Sequence, residues 1–185
     1  MAGNGQCDQA LGNGNANGQG MAVDIPNYRA GMRRLAAGVS LITTLGEDGV
    51  RRGLTATAVC SVSLAPPTLL CCVNRSSSAH DTIHAGGILG VNILASGDRA
   101  LADSFGGSEA PESRFEVGSW SSLVTGAPIL DTAIAAFDCR VTVVLDAGTH
   151  SVFLAEVLDV RLSHGGEPLI YLAGAYGHFS GLDQA

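Results

Sequence analysis

Hydrophobic and polar positions along this chain predict strands far more often than helices. Phe137, Cys139, Val141, Val143 and Leu145 alternate with Asp138, Arg140 and Thr142, the period-two signature of a half-buried strand with its polar side chains outward. Asp146-Ala-Gly148 signals a turn, and a second long strand, Ser151 to Leu162, follows it. A short strand is expected from Pro168 to Leu172. Upstream, the β-formers Val-Ser-Leu-Ile-Thr-Thr-Leu after Gly38 run into Gly46-Glu-Asp-Gly49, which predicts a hairpin. The returning strand covers Arg51 to Val62. Pro66-Pro67 halts it, Thr68 to Val73 resumes in extended form, and Ile88 to Leu94 adds another strand.

Helical spacing is confined to three places. Tyr28, Met32, Leu35 and Ala36 recur on one face behind Pro26, which suits a first helical turn. Ser78 to Ala85 reads as a short helix with Ser78 as N-cap and Asp81 three residues on, and Asp98 to Ser104 as another. Gly106 to Thr125 carries Gly, Ser, Pro and single aromatics without a period, so a covering loop is expected there. Six or seven strands, several joined by tight turns, with two or three peripheral helices predict a mainly β domain whose antiparallel sheet curls into a barrel.

Composition changes this picture at its edges. Gly3 to Gly20 is almost entirely Gly, Asn, Gln and Ala, with nothing to bury, so residues 1–23 are expected to form a disordered tail. The folded domain then spans residues 24–180, with a short tail at 181–185. At 185 residues the chain suits one domain with a sizeable core. No apolar run approaches the length of a membrane span, and the start has neither the basic residues nor the apolar run of a secretory signal. A cytoplasmic setting with free thiols is therefore expected for the five cysteines.

The net charge of -7 argues against a broad electrostatic grip on nucleic acid. All ten basic residues are arginines, which removes Schiff-base lysines and the lysine-bearing phosphate loop. An anionic ligand must then be held by arginine, hydroxyls and backbone N–H groups. Two stretches offer that chemistry. Asn74-Arg75-Ser76-Ser77-Ser78 sets three hydroxyls and a guanidinium at a strand-to-helix junction, a phosphate site or, more plainly, a Ser-rich capped turn. Thr55-Ala-Thr-Ala58 leaves little bulk on a strand, so a flat ring can lie against it, although β-propensity alone also accounts for the pattern.

Other candidates carry less. Cys71-Cys72 point to opposite faces of an apolar strand and fit simple packing. His80 and His84 lack the glutamate of a zinc motif, so no metal site is expected. His150, in Gly148-Thr-His150 between two long strands, is either a ligand contact or an ordinary turn histidine.

The stretches LAAGVSLITT, GLTATAVCSVSLAPPTLLCCVN with its following serines, GVNIL, Arg114-Phe115, GTH and PLIY occur in one order between Tyr28 and Tyr176. In that order the chain resembles the short-chain flavin reductases, in particular the reductase components of two-component flavin monooxygenases. The resemblance implies a flavin-binding split β-barrel, antiparallel and Greek-key-like, normally a homodimer. It implies an enzyme that reduces FAD or FMN with NADH, or alternatively NADPH, and releases reduced flavin to a separate monooxygenase component.

Carried over by position, the resemblance implies that Thr55, Ala56 and Thr57 contact the flavin ring, with Val39 and Ser40 beside them. Asn74, Arg75, Ser76, Ser77 and Ser78 then hold the ribityl and phosphate groups. His150 falls near the nicotinamide, in an orienting role. Hydride transfer between stacked rings asks the protein mainly for alignment. Two alternatives remain from the same barrel type: a module that holds flavin or haem without turnover, and an oxidase of pyridoxamine phosphate. Haem needs an axial ligand, and no histidine falls in the ring-wall strand. The absence of lysine makes phosphate recognition of the oxidase type harder to supply.

Overall fold

The computed structural model describes residues 23–107, 110 and 113–179. The expected tails at 1–23 and 181–185 lie outside these residues, apart from Val23. The chain divides into two units, Met1–Met32 and Arg33–Ala185. The first contributes helix α1, Ile25–Met32, which carries Pro26 in its first turn as expected. The helix stops short of Leu35 and Ala36, and none of its residues is buried. Its expected amphipathic face, Tyr28 and Met32 included, is exposed.

In the second unit the chain runs β1 (Ala37–Gly38), β2 (Ser40–Leu45), β3 (Arg51–Ala56), β4 (Val59–Leu64) and β5 (Pro67–Asn74) before helix α2 (His80–Gly86). Strand β6 (Ile88–Ile93), helix α3 (Arg99–Gly106), β7 (Trp120–Ser121) and β8 (Ile129–Leu130) follow. The long hairpin β9 (Ala135–Ala147) and β10 (His150–Leu162), then β11 (Leu169–Leu172) and β12 (Ala175–His178), complete it. Seven of these strands form one antiparallel sheet in the order β3-β2-β6-β9-β10-β5-β4.

That order forces a barrel. Strands β3 and β4 stand at opposite ends of the sheet, yet only Thr57 and Ala58 separate them in sequence. In a flat sheet six inter-strand spacings would hold them about 29 Å apart. The three Cα steps from Ala56 to Val59 reach about 11 Å at most. The sheet must therefore curl until its ends meet, and Cys72 N–H donates to Ala58 O at 3.0 Å, which carries the β4–β5 pairing up to the link. The stretch expected as one strand, Arg51 to Val62, is thus two, because the chain bends at Thr57-Ala58 to cross the seam. The passage from β5 through α2 to β6 skips the β9–β10 pair, which gives the Greek-key-like connection.

Two apolar clusters flank the sheet. One joins Ile42, Cys71, Val73, Leu89, Val91, Cys139 and Phe153 with Ala79 and Ile83 at α2. The other sets Leu101, Ala102 and Phe105 of α3 against Val39, Leu41, Ile129 and Leu130. Leu41 and Ile42 fall in different clusters, so β2 is buried on both sides, which explains its unbroken run of β-formers. Phe115 and Trp120 pack on Phe105, with Phe105–Phe115 ring centroids 5.0 Å apart, so the single aromatics of the stretch expected as a covering loop seat it on α3.

Asp138 corrects the alternation read for β9. Expected on the solvent face, it is 0% exposed and accepts hydrogen bonds from Thr125 N–H at 2.7 Å and from the Thr125 hydroxyl. The segment leading into β8 covers that face of the strand. The outer end of β9 is the solvent-facing part, with Val143 and Leu145 exposed. Among the described residues no helix is long and apolar enough to cross a membrane.

Burial pushes the thiols of Cys71 and Cys139 up from 9.0 to about 12. Both stay protonated at pH 8, so the thiolate needed for alkylation is absent there. The stability linked to these neutral thiols is fully present below the unfolded pKa and is lost as pH rises from about 9 toward 12. Peptide mapping after iodoacetamide treatment at pH 8 is expected to find Cys60 labelled in the folded protein, and Cys71 and Cys139 labelled only after denaturation. Labelling of Cys71 at the rate of Cys60 would contradict this burial.

Candidate functional site

The bend that closes the barrel also shapes the site. Leu54 to Ala58, at the seam, line a trough with two adjoining arms that share Leu54 and Thr55. The first arm, ≈ 220 Å³, is completed by Cys72, Asn74 and His150. The second, ≈ 450 Å³, is bounded by Ser76, Ser77, Ser78, Phe105, Gly106, Gly107 and Arg114.

Each wall has a local cause. Thr55 Oγ1 donates to Ala102 O at 2.7 Å, which ties β3 to α3. Gly53 permits that approach, because a Cβ there would lie 2.8 Å from the Phe105 ring. Small side chains at Ala56 and Ala58 leave the first arm free of bulk. Asn74 Oδ1 accepts from Ser76 N–H and from the Ser76 hydroxyl, both at 2.9 Å, so an Asx turn folds the hydroxyl loop on itself. Ser77 N–H donates to Asn74 O, and His80 N–H to Ser77 O, both at 3.0 Å.

The loop leans on the tip of the long hairpin. His150 faces Asn74 in register, and Arg75 N–H donates to Thr149 O at 3.0 Å. The hairpin turns on Gly148 and Thr149, with Gly148 at φ 62, the left-handed geometry that tight two-residue loops require. His150 Nδ1 lies 2.9 Å from Thr149 Oγ1, leaving Nε2 as the ring nitrogen not used in that contact.

The structure gathers Thr55, Ala56, Thr57, Asn74, Ser76, Ser77, Ser78 and His150 along one trough. Three expectations change. The Arg75 guanidinium pairs with the Asp146 carboxylate on β9 and lines neither arm. Val39 and Ser40 are 0% and 4% exposed and line neither arm; Val39 packs in the α3 cluster, and Ser40 is the strand neighbour of Ala56. Ser78 does not cap α2, which starts at His80 with Ala79 before it; the Ser77 hydroxyl accepts from Ala79 N–H instead, at 3.3 Å.

Arg114 is the residue that the sequence reading left out of the site. Its Nη1 donates to Gly53 O at 3.0 Å and its Nη2 to Gly107 O at 3.2 Å, which fixes the guanidinium at the rim opposite the serines. The Arg-Phe pair was the available signal: Phe115 is buried against Phe105 and thereby seats Arg114. Among the described residues no group of three or more His, Cys, Asp or Glu is placed to hold a metal ion. A wall of small residues with hydroxyls and a guanidinium at one end suits a flat polycyclic ring bearing an anionic tail.

Comparison with known proteins agrees with that chemistry. The chain is 48% identical over 155 residues to the FMN reductase (NADH) RutF of Ancylobacter novellus, covering 84% of this chain and 85% of that protein. The NADH:FAD oxidoreductase SgcE6 of Streptomyces globisporus C-1027 superposes with a TM-score of 0.80 at 27% identity, over 86% of this chain and 95% of that one. BorF, the flavin reductase component of a bacterial two-component tryptophan halogenase, gives 0.78 at 28%, over 86% and 100%. Residues 32–180, which include the barrel and both arms of the trough, match the flavin reductase like domain, and the chain belongs to that family.

Proposed function

We propose that this protein is an NADH-dependent flavin reductase that takes FMN as its preferred flavin and releases it reduced to a separate monooxygenase component. The observation that carries this reading is the trough itself. It sets the seam strand Leu54–Ala58 between His150 at one end and the Ser76–Ser78 loop with Arg114 at the other. The relatives named FMN reductase (NADH) support the choice of flavin and of reductant.

Bound flavin and nicotinamide supply the redox chemistry, a hydride transfer that needs no covalent step on a side chain. The chain supplies binding and alignment. Thr55, Ala56 and Thr57 present backbone amides and small side chains to the ring, and Asn74 stands beside them. Ser77 and Ser78 donate hydroxyl hydrogen bonds to the phosphate, Ser76 shapes the loop through its hydroxyl on Asn74 Oδ1, and Arg114 supplies the charge that Arg75, paired with Asp146, does not bring to the trough. His150 orients the pyridine nucleotide at the open end of the first arm. Open arms also suit a flavin that must leave after each turnover.

The assembly proposed is a cytoplasmic homodimer. Cross-strand neighbours Leu145 and Val152, Val143 and Leu154, and Leu154 and Leu70 form an apolar strip on the outside of β9, β10 and β5. Val143 and Leu145 are 43% and 52% exposed, and Val62 and Leu64 on β4 are 50% and 93% exposed. A strip of that kind is characteristic of a protein–protein contact.

Anaerobic mixing of catalytic amounts of the protein with NADH and FMN is expected to bleach the oxidised-flavin absorbance, faster than with FAD or with NADPH. Failure to bleach either flavin with either nucleotide would refute the reductase and leave a module that binds its ligand without turnover. In the same assay Arg114→Ala is expected to raise KM for FMN about tenfold, and Arg75→Ala less than about threefold. Equal effects would remove Arg114 from its assigned role. His150→Ala is expected to raise KM for NADH with FMN affinity retained, and unchanged kinetics would take His150 out of the site. Sedimentation equilibrium is expected to give twice the chain mass for the wild type and the monomer mass for Leu145→Glu, whereas a monomeric wild type would exclude the homodimer.

A further inference from the structure

We propose that His80 and Ser151 form a buried staple that positions the hydroxyl loop, residues 74–78, against the β9–β10 hairpin. This inference rests on the flavin-reductase reading for its functional consequence. It rests on geometry for its existence.

His80 is the first residue of α2, separated from the loop by Ala79 alone, and is 7% exposed. Its Nε2 lies 3.0 Å from Ser151 Oγ, and Ser151, 1% exposed, follows His150 on β10. Its Nδ1 lies 2.8 Å from Asp81 Oδ1. With Asp81 ionised, Nδ1–H donates to the carboxylate, so in the neutral ring Nε2 accepts from the Ser151 hydroxyl. The Phe153 ring meets the imidazole edge-on, with centroids 5.7 Å apart and planes at 67°, which fixes its plane.

The connectivity Asp81–His80–Ser151 is that of a hydrolytic triad, but the setting is wrong for one. Ser151 is closed off in the barrel wall and lines neither arm of the trough, so its hydroxyl has no approach to a substrate. What the chain of hydrogen bonds does is mechanical. At its near end the loop is held to the hairpin by Arg75 N–H on Thr149 O and by Arg75 with Asp146. At its far end His80 holds it to the same hairpin through Ser151. Ser76, Ser77 and Ser78 are suspended between two anchors, one on each side of His150.

A contact of this type does not touch a ligand. It fixes the groups that do, and displacement of such groups by about 1 Å is enough to weaken binding. His80 and Ser151 are positioning residues. They couple the phosphate end of the trough to the strand that carries His150.

The test compares wild type with Ser151→Ala, His80→Leu and the double variant, by FMN titration, steady-state kinetics and thermal unfolding. Each single change is expected to weaken FMN binding about fivefold to tenfold while kcat at saturating FMN stays within about twofold. The double variant should bind no worse than the weaker single one, because both changes cut one link. His80→Gln, whose amide can still reach Ser151, should recover part of the loss. Unchanged FMN affinity in folded variants, additive losses in the double variant, or unfolding by Ser151→Ala would each overturn the proposal; the last would assign the contact to global stability. If wild type itself does not bind FMN, the flavin reading fails and the staple is still decided by amide hydrogen exchange of residues 74–79. Faster exchange in ligand-free Ser151→Ala supports the staple, and equal exchange removes it.

Discussion

The two-residue link between β3 and β4 is the constraint from which the rest of the molecule follows. Because Thr57 and Ala58 join strands at opposite ends of the sheet order, the sheet has to close, and closure has to happen at that link. A seam is where one strand stops pairing with its sequence neighbours and turns toward another edge, so backbone groups and small side chains are accessible there. The trough lies along this seam. Its floor is therefore a product of the closure, and a larger residue at Ala56 or Ala58 would act on fold and site together.

Anion recognition in a chain without lysine depends on where each guanidinium is spent. Arg75 sits in the hydroxyl loop, yet Asp146 across the hairpin takes it. Arg114 reaches the trough from a segment far along the sequence because Phe115 anchors that segment on α3, and two backbone carbonyls, Gly53 and Gly107, aim the guanidinium. The planar fork of arginine suits this arrangement, since some of its N–H groups can hold the side chain in place while others face the trough. A lysine in that position would lack the second fixed direction.

The parts of this arrangement that were legible in the sequence are those set by neighbours along the chain. The hairpin at Gly46–Gly49, the long pair β9 and β10, and the Thr-Ala strand beside an Asn-Arg-Ser-Ser-Ser loop all follow from local turn chemistry and alternation. The parts that were not legible depend on pairings distant in sequence. Arg75 faces Asp146 only because β5 pairs with β10 and β10 with β9. Asp138 is buried because the Thr125 segment folds over it. Val39 lies inside because α3 covers β2 on the side away from the barrel interior. Periodicity assigns a residue to a face, but only the tertiary pairing says what stands opposite that face.

Hydride transfer between two bound rings asks for no nucleophile, no metal and no tuned acid–base pair, and the trough is built accordingly from amides, hydroxyls and small side chains. This explains why no single motif in the chain is specific, while the order of several weak ones is. It also explains why the most enzyme-like constellation in the molecule, Asp81–His80–Ser151, stands behind the site and not in it. Burial removes Ser151 from chemistry and gives its hydrogen bond the rigidity to hold a loop. The loop can then consist of residues chosen for hydroxyl groups rather than for packing, because its position is set from below.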